Sequence, residues 1–238
     1  MNIAVILAAG SGSRIASDTP KQFIEILGKP ILAYTLEIFE QNKNIDFIQI
    51  VAKENEFYKI QKICEKYNIS KFRLITKGGD SFQDSVKNAV FALENKINKD
   101  DIVVISFGTA PLTPSNDIND AILVAKKYGN AIAAKDIDLC TCIKDDDISS
   151  SKSILRESLK GFANPWAFRY DELLLAYKYA VEKNILDSIE PHTTSLYFAL
   201  GKKIYFSKCT SVQAKITYKS DLEFFEAWVN SVKKGKKC

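Results

Sequence analysis

Between Asn2 and Ala134, short apolar runs rich in branched residues alternate with longer amphipathic stretches, and this alternation narrows the fold more than any other feature of the chain. Residues 2–7, 47–51, 72–75, 102–106 and 130–134 read as buried strands. Residues 31–39, 54–67, 81–93 and 117–127 carry apolar side chains at helical spacing. This order predicts an α/β fold, an open and mostly parallel sheet with helices on both faces. The 238 residues suffice for one ordinary core, so a single domain over 1–238 is expected.

Regularity breaks at residues 135–162. This stretch holds Asp145, Asp146 and Asp147 and then Ser149, Ser150 and Ser151, which is loop chemistry. Its flanks, 139–143 and 153–155, are expected to pair as a hairpin, giving a β-arm that projects from the sheet. An insertion of this length in a compact fold is usually functional. Beyond it come a helix at 171–182, a polar segment Pro191-His192-Thr193-Thr194-Ser195, strands at 203–206 and 213–217, and a helix at 220–232.

Composition removes several classes of chemistry. His192 is the one histidine, which excludes multi-histidine metal sites and confines any Ser-His or Cys-His mechanism to that residue. Five cysteines without a CxxC pair suit free thiols in a reducing cytoplasm, and Cys140-x-Cys142 reads as alternation on a strand. No apolar run approaches a membrane span, and no basic, apolar leader opens the chain, so a cytoplasmic protein without membrane contact is expected. The net charge of +4 comes from 33 basic and 29 acidic residues that are interleaved. Lys233, Lys234, Lys236 and Lys237 form the one basic run, read as a frayed tail, so no nucleic-acid partner is expected. The four arginines are Arg14, Arg73, Arg156 and Arg169.

The loop after the first strand carries the chemistry. Ala8-Ala9-Gly10-Ser11-Gly12-Ser13-Arg14 leads to Pro20-Lys21-Gln22-Phe23. Small residues at the carboxyl end of a first parallel strand let backbone approach a ligand, and successive N–H groups there can form an anion nest. The string lacks the third glycine of a dinucleotide fingerprint and the Gly-Lys-Ser/Thr of a P-loop. Arg14 and Lys21 bracket the loop, placed to grip a triphosphate from two sides.

These residues resemble the cytidylyltransferases that make CDP-alcohols, the methylerythritol-phosphate and ribitol-phosphate enzymes. The opening segment, residues 7–14 and 20–39, carries the likeness almost throughout. Residues 78–86, Arg156 to Leu159, residues 164–170 and Lys215-Ile216-Thr217 with Asp221-Leu222 resemble the family's later motifs, so the likeness spans essentially the whole chain. The resemblance implies a Rossmann-like fold and a reaction in which an alcohol phosphate attacks the α-phosphorus of CTP and releases pyrophosphate. It implies that Arg14 and Lys21 stabilise the transition state and that Arg156 and Lys215 orient the attacking phosphate. It assigns nucleotide contacts to Ala8, Ala9, Gly10, Ser11 and Gly12, to Gly78, Gly79 and Asp80, and to Ser85. Ser85 also suits a helix cap. Mg²⁺ is expected to be held mainly by the CTP phosphates. A homodimer through the arm is implied, with Arg156 supplied across it.

The chain departs from the family pattern at identifiable positions. Phe107 stands where the family has a metal-binding aspartate, and Val212 where a second acid is expected. Phe82 replaces an arginine, Asn164-Pro165-Trp166 replaces Thr-Pro-Gln, and Pro191-His192-Thr193-Thr194 replaces acidic residues. The protein-held metal ligands therefore stay unassigned, with Asp80 and Asp84 as candidates. The departures lie around metal and acceptor, which favours a polyol or sugar-alcohol phosphate acceptor feeding a surface polymer. The alternatives are methylerythritol phosphate as acceptor and a catalytically silent nucleotide-binding homologue. His192 is either an acceptor contact or a loop histidine bonded to backbone.

Overall fold

The computed structural model describes residues 1–10, 15, 19–210 and 215–235. Its elements in chain order are β1 (Asn2–Leu7), β2 (Glu25–Ile26), β3 (Lys29–Pro30), α1 (Ile31–Gln41), β4 (Phe47–Ala52), α2 (Phe57–Lys66), β5 (Phe72–Lys77), α3 (Phe82–Ala92), β6 (Ile102–Phe107), α4 (Ser115–Tyr128) and β7 (Asn130–Asp136). They continue with β8 (Thr141–Ile143), β9 (Lys152–Ile154), β10 (Lys160–Arg169), α5 (Tyr170–Glu182), α6 (Thr193–Ala199), β11 (Phe206–Ser207) and α7 (Lys219–Gly235).

The main sheet has the order β11-β7-β10-β6-β1-β4-β5. β1 pairs parallel with β4 and β6, and β4 with β5. Alternation along these strands sorts side chains to two faces. Ala4, Ile6, Ile48, Ile50, Ile102 and Val104 pack against α1, α2 and α4. Ile3, Val5, Val51, Val103 and Ile105 pack against α3, α5 and α6. The doubly covered, mostly parallel sheet expected from the strand and helix alternation is what the chain forms.

Several elements differ from expectation. β10 is a ten-residue strand running antiparallel between β6 and β7. Pro165 within it removes a ladder donor, and the register with β7 shifts between Phe162 and Trp166. Proline in a segment of mixed polarity hides a central strand from pattern reading. The polar segment after Pro191 is the start of α6, with Thr193 fully buried. The strand expected at 203–206 is reduced to β11. Of the strand expected at 213–217, residues 213 and 214 lie outside the described ones, and Lys215, Ile216 and Thr217 are not strand. Ile216 N–H still donates to Thr109 O at 2.8 Å, holding the segment against the turn after β6. α7 continues through the backbone of Lys233 and Lys234, so that part of the basic run is helical rather than frayed.

The expected hairpin is present, with β8 and β9 paired antiparallel. Cys142 lies on β8 and Cys140 just before it, and both are exposed. Among the described residues, no helix is long and apolar enough to cross a membrane.

Asn164 couples β10 to the end of β6. Its Nδ2 donates to Ser106 Oγ at 2.9 Å and to Thr113 Oγ1 at 2.8 Å, while its Oδ1 accepts Phe107 N–H at 3.3 Å. Asn164, Ser106 and Thr113 are buried, so Asn164→Ala leaves polar groups without a partner. The expected loss is about 1–3 kcal/mol, read as a lower melting temperature in calorimetry, and an unchanged midpoint would contradict it.

Candidate active site

Because β1, β4, β5 and β6 run parallel, their carboxyl ends open on one edge, where the departing loops enclose a cavity of about 460 Å³. Open α/β sheets bind ligands at this edge. Ala8, Ala9 and Gly10 enter from β1, Lys53 from β4, Gly79 and Asp80 from β5, and Phe107 closes β6. Backbone bonds hold the loops together. Ala8 N–H donates to Val51 O at 2.7 Å, Gly78 N–H to Ala52 O at 2.9 Å, and Gly108 N–H to Leu7 O at 2.7 Å. A Cβ on Gly78 would stand 2.5 Å from Ala9 Cβ, and one on Gly79 would stand 2.1 Å from Asp84 Cβ. The β5 loop closes onto β1 and α3 only because both positions are glycine.

The first turn of α3 forms one wall. Ser81 is its cap, since Ser81 Oγ accepts Asp84 N–H at 3.0 Å. Asp84 pairs with the Lys87 ammonium at 2.6 Å and accepts the Ser81 hydroxyl at 2.7 Å. These two partners, Lys87 first, hold its carboxyl below the usual range. Asp84 is thereby committed to the helix start. Ser85 is not the cap; it lies inside α3, lines the cavity, and its Oγ accepts Gly79 N–H at 3.1 Å.

Lysines form the facing side. Lys21 follows Pro20 in a short 3₁₀ turn, is almost wholly buried, and donates from Nζ to Thr217 O at 3.3 Å. Gln22 Nε2 donates to Ala8 O at 2.8 Å and to Glu56 Oε2 at 3.3 Å, locking that turn to the end of β1. Lys215 Nζ stands 3.5 Å from the centroid of the Phe107 ring. The segment around it is clamped by Asp221, whose carboxylate accepts Thr217 N–H at 2.7 Å and Tyr218 N–H at 2.9 Å. Beneath lies an apolar group of Ile15, Ile26, Ile31, Ile216, Phe225 and Val229, which joins the first loop to the Lys215 segment and α7.

The departures at Phe82, Phe107, Trp166 and His192 meet in space. Ring centroids of Phe82 and Phe107 are 6.0 Å apart, Phe82 and Trp166 5.5 Å, and Phe107 and Trp166 5.6 Å. His192 packs at 5.3 Å from Phe82 and 5.7 Å from Trp166. Its position is set by a buried chain: Gln83 Nε2 donates to His192 O at 2.7 Å, and Tyr177 OH bridges Gln83 Oε1 at 2.7 Å and Thr193 Oγ1 at 3.0 Å. Burial depresses the His192 pKa, against the opposing pull of Glu190.

The structure thus brings together Ala8, Ala9, Gly10, Lys21, Gly79, Asp80, Ser85 and Lys215, with Gly78 packed directly behind. Arg156 does not line the cavity; it lies on the arm, its Nη1 donating to Asp138 O at 3.1 Å. Ser11, Gly12, Arg14 and Val212 lie outside the described residues. Sequence reasoning missed Lys53, Gln22 and Thr109 as lining residues. Lys53 had a readable signal, since it directly follows a parallel strand, as the first loop does. Among the described residues no three His, Cys, Asp or Glu side chains gather to hold a metal, and Asp80 alone offers a carboxylate to the cavity. One carboxylate suits a hydrated Mg²⁺ arriving on substrate phosphates but not a protein cage.

A family model described as IspD: 2-C-methyl-D-erythritol 4-phosphate cytidylyltransferase matches residues 2–231. A ribitol-5-phosphate cytidylyltransferase of Lacticaseibacillus paracasei is 33% identical over 96% of this chain and 98% of its own. A 2-C-methyl-D-erythritol 4-phosphate cytidylyltransferase of Clostridium acetobutylicum is 37% identical over 93% of this chain and 94% of its own. The crystal structure of 4-diphosphocytidyl-2C-methyl-D-erythritol synthase from Anaerococcus prevotii superposes with a TM-score of 0.79, covering 96% of this chain and 98% of that one. At 24% identity that likeness bears on the fold alone.

The glycine contacts give a direct test. Gly79→Ala is expected to weaken cytidine nucleotide binding at least tenfold in calorimetry. Gly161→Ala, where a Cβ meets nothing closer than 3.9 Å, serves as the control. Equal affinities for the two variants would contradict the close approach.

Proposed function

The chain belongs to the IspD family of cytidylyltransferases, and on that premise we propose that it transfers the cytidylyl group of CTP to a polyol or sugar-alcohol phosphate. The observation that carries the reading is a cavity at the strand ends lined by small residues and by Lys21, Lys53 and Lys215. An oxygen of the alcohol phosphate attacks the α-phosphorus in line. The new P–O bond forms as the bond to the leaving pyrophosphate breaks. No side-chain nucleophile is required, so the residues act by positioning and by neutralising charge. Lys21, with Arg14, meets the charge that develops on the triphosphate. Lys215 and Arg156 orient the attacking phosphate. The Ala8–Ala9–Gly10 backbone follows the nucleotide, with Ser11, Gly12, Gly78 and Gly79 completing the cradle and Ser85 facing the base. Asp80 is the carboxylate that would meet Mg²⁺ carried by the triphosphate; bound, that ion would neutralise charge on the leaving group.

The chain works as one cytoplasmic nucleotidyltransferase unit that dimerises through the arm at 135–162. Supporting this, Leu139, Ile148 and Leu155 on the arm are strongly exposed apolar side chains, and Arg156 stands away from the cavity of its own protomer. The product would feed a surface polymer. A second reading, methylerythritol phosphate as acceptor, is favoured by the family model. The acceptor is resolved by incubating the protein with CTP, Mg²⁺ and a panel of alcohol phosphates and measuring pyrophosphate. Turnover of ribitol 5-phosphate is expected; turnover of methylerythritol phosphate alone would overturn the first reading, and none at all would overturn both.

Lys21→Ala is expected to raise the barrier by about 2.7–4 kcal/mol, as for loss of one preorganised donor. Arg156→Ala is expected to impair the acceptor step. If Arg156 acts across the dimer, mixing and re-equilibrating the two variants restores about a quarter of wild-type activity, because half the dimers then carry one intact site. A mixture no more active than its separate components would contradict the shared site.

A further inference from the structure

We propose that Phe107 is a positioning residue for Lys215: its ring holds the ammonium at the cavity by its face, adding no charge of its own where the acceptor phosphate would meet it. This rests on the functional reading above, in which Lys215 meets that phosphate. The Nζ stands 3.5 Å from the ring centroid, well inside the range of a cation–π interaction. Phe107 is itself immobilised. Its N–H donates to Asn164 Oδ1 at 3.3 Å, and its ring packs on Phe82 and on Trp166, which is buried. The Lys215 backbone is held independently, through Ile216 N–H on Thr109 O and the Asp221 clamp.

The chemical consequence follows from what a ring is not. An aspartate at this position would attract the same ammonium, but it would add a negative charge beside the incoming phosphate. A ring orients the ammonium by its quadrupole and carries no net charge, so it adds no negative potential toward an incoming anion. His192 extends the same wall through Phe82 and Trp166, with its pKa depressed by burial. Phe82, Phe107, Trp166 and His192 therefore act as one unit: three aromatic supports and a ring that carries the lysine.

The test compares wild type with Phe107→Leu, which keeps apolar bulk, and Phe107→Trp, which keeps a π face. The first readout needs no turnover: side-chain methylene signals of Lys215, assigned with Lys215→Gln, in spectra of ¹³C-lysine-labelled protein. Upfield ring-current shifts are expected in wild type and Phe107→Trp and are expected to vanish in Phe107→Leu. The second readout is kinetic. Phe107→Leu is expected to raise KM for the alcohol phosphate about 2- to 30-fold, the span of a cation–π contact, with kcat and the CTP affinity little changed, and Phe107→Trp is expected to recover it. Lysine signals without ring-current shift in wild type overturn the proposal, as does an unchanged acceptor KM in Phe107→Leu. If wild type releases no pyrophosphate with any acceptor, the functional reading fails, and the positioning claim is judged by the lysine signals alone.

Discussion

Positive charge gathered at the ends of four parallel strands is the constraint around which this molecule is arranged. Lys21, Lys53 and Lys215 line one cavity with Asp80 as the sole carboxylate among its described lining residues. Like charges in a cleft of reduced dielectric repel, so each ammonium needs a local hold. Lys21 reaches the carbonyl oxygen of Thr217, and Lys215 rests on the face of Phe107. Both holds require the C-terminal segment to return to the strand ends, to the first loop for Lys21 and to the end of β6 for Lys215. Asp117, buried on α4, accepts Thr210 N–H and Oγ1–H, each at 2.8 Å, and Ile216 anchors on Thr109. The apolar group of Ile15, Ile216 and Phe225 then closes the join.

The aromatic wall follows from the same constraint. Where the family pattern carries acids, an arginine and a glutamine, this chain places rings, and those rings pack on one another. Changing one such position alone would leave a charge facing an apolar neighbour, which is costly in a buried setting. The substitutions at Phe82, Phe107, Trp166 and His192 make sense together as one repacked wall. On the proposed reading this leaves metal handling to the triphosphate and acceptor handling to Lys215.

How much of this was legible in the sequence depends on distance along the chain. The two-faced sheet was readable because each buried strand announces itself within six residues, and the first loop because small residues directly follow such a strand. β10 was not, since Pro165 interrupts a segment that pairs only through tertiary contact. α6 was hidden because Pro191, His192 and the two threonines read only as a polar segment, whereas Thr193 is tied to Tyr177 inside the core. Lys53 was hidden by composition, one lysine in a chain that uses lysine almost everywhere. The aromatic wall could be seen only as separate departures, because its members stand at positions 82, 107, 166 and 192 and meet only on folding. Ser85 also suits a cap by its residue type, but Ser81, one turn earlier, takes that role.

The central claim is that held positive charge, with no covalent help from the protein, carries the proposed transfer at phosphorus. The stereochemical course at the α-phosphorus tests it most directly. CTP bearing sulfur at one non-bridging α-oxygen is turned over with the accepted alcohol phosphate, and the configuration of the product is read by ³¹P NMR. A single in-line displacement predicts inversion. Retention would demand a nucleotidyl-enzyme intermediate, formed on a lysine or hydroxyl of the cavity, and would contradict this account.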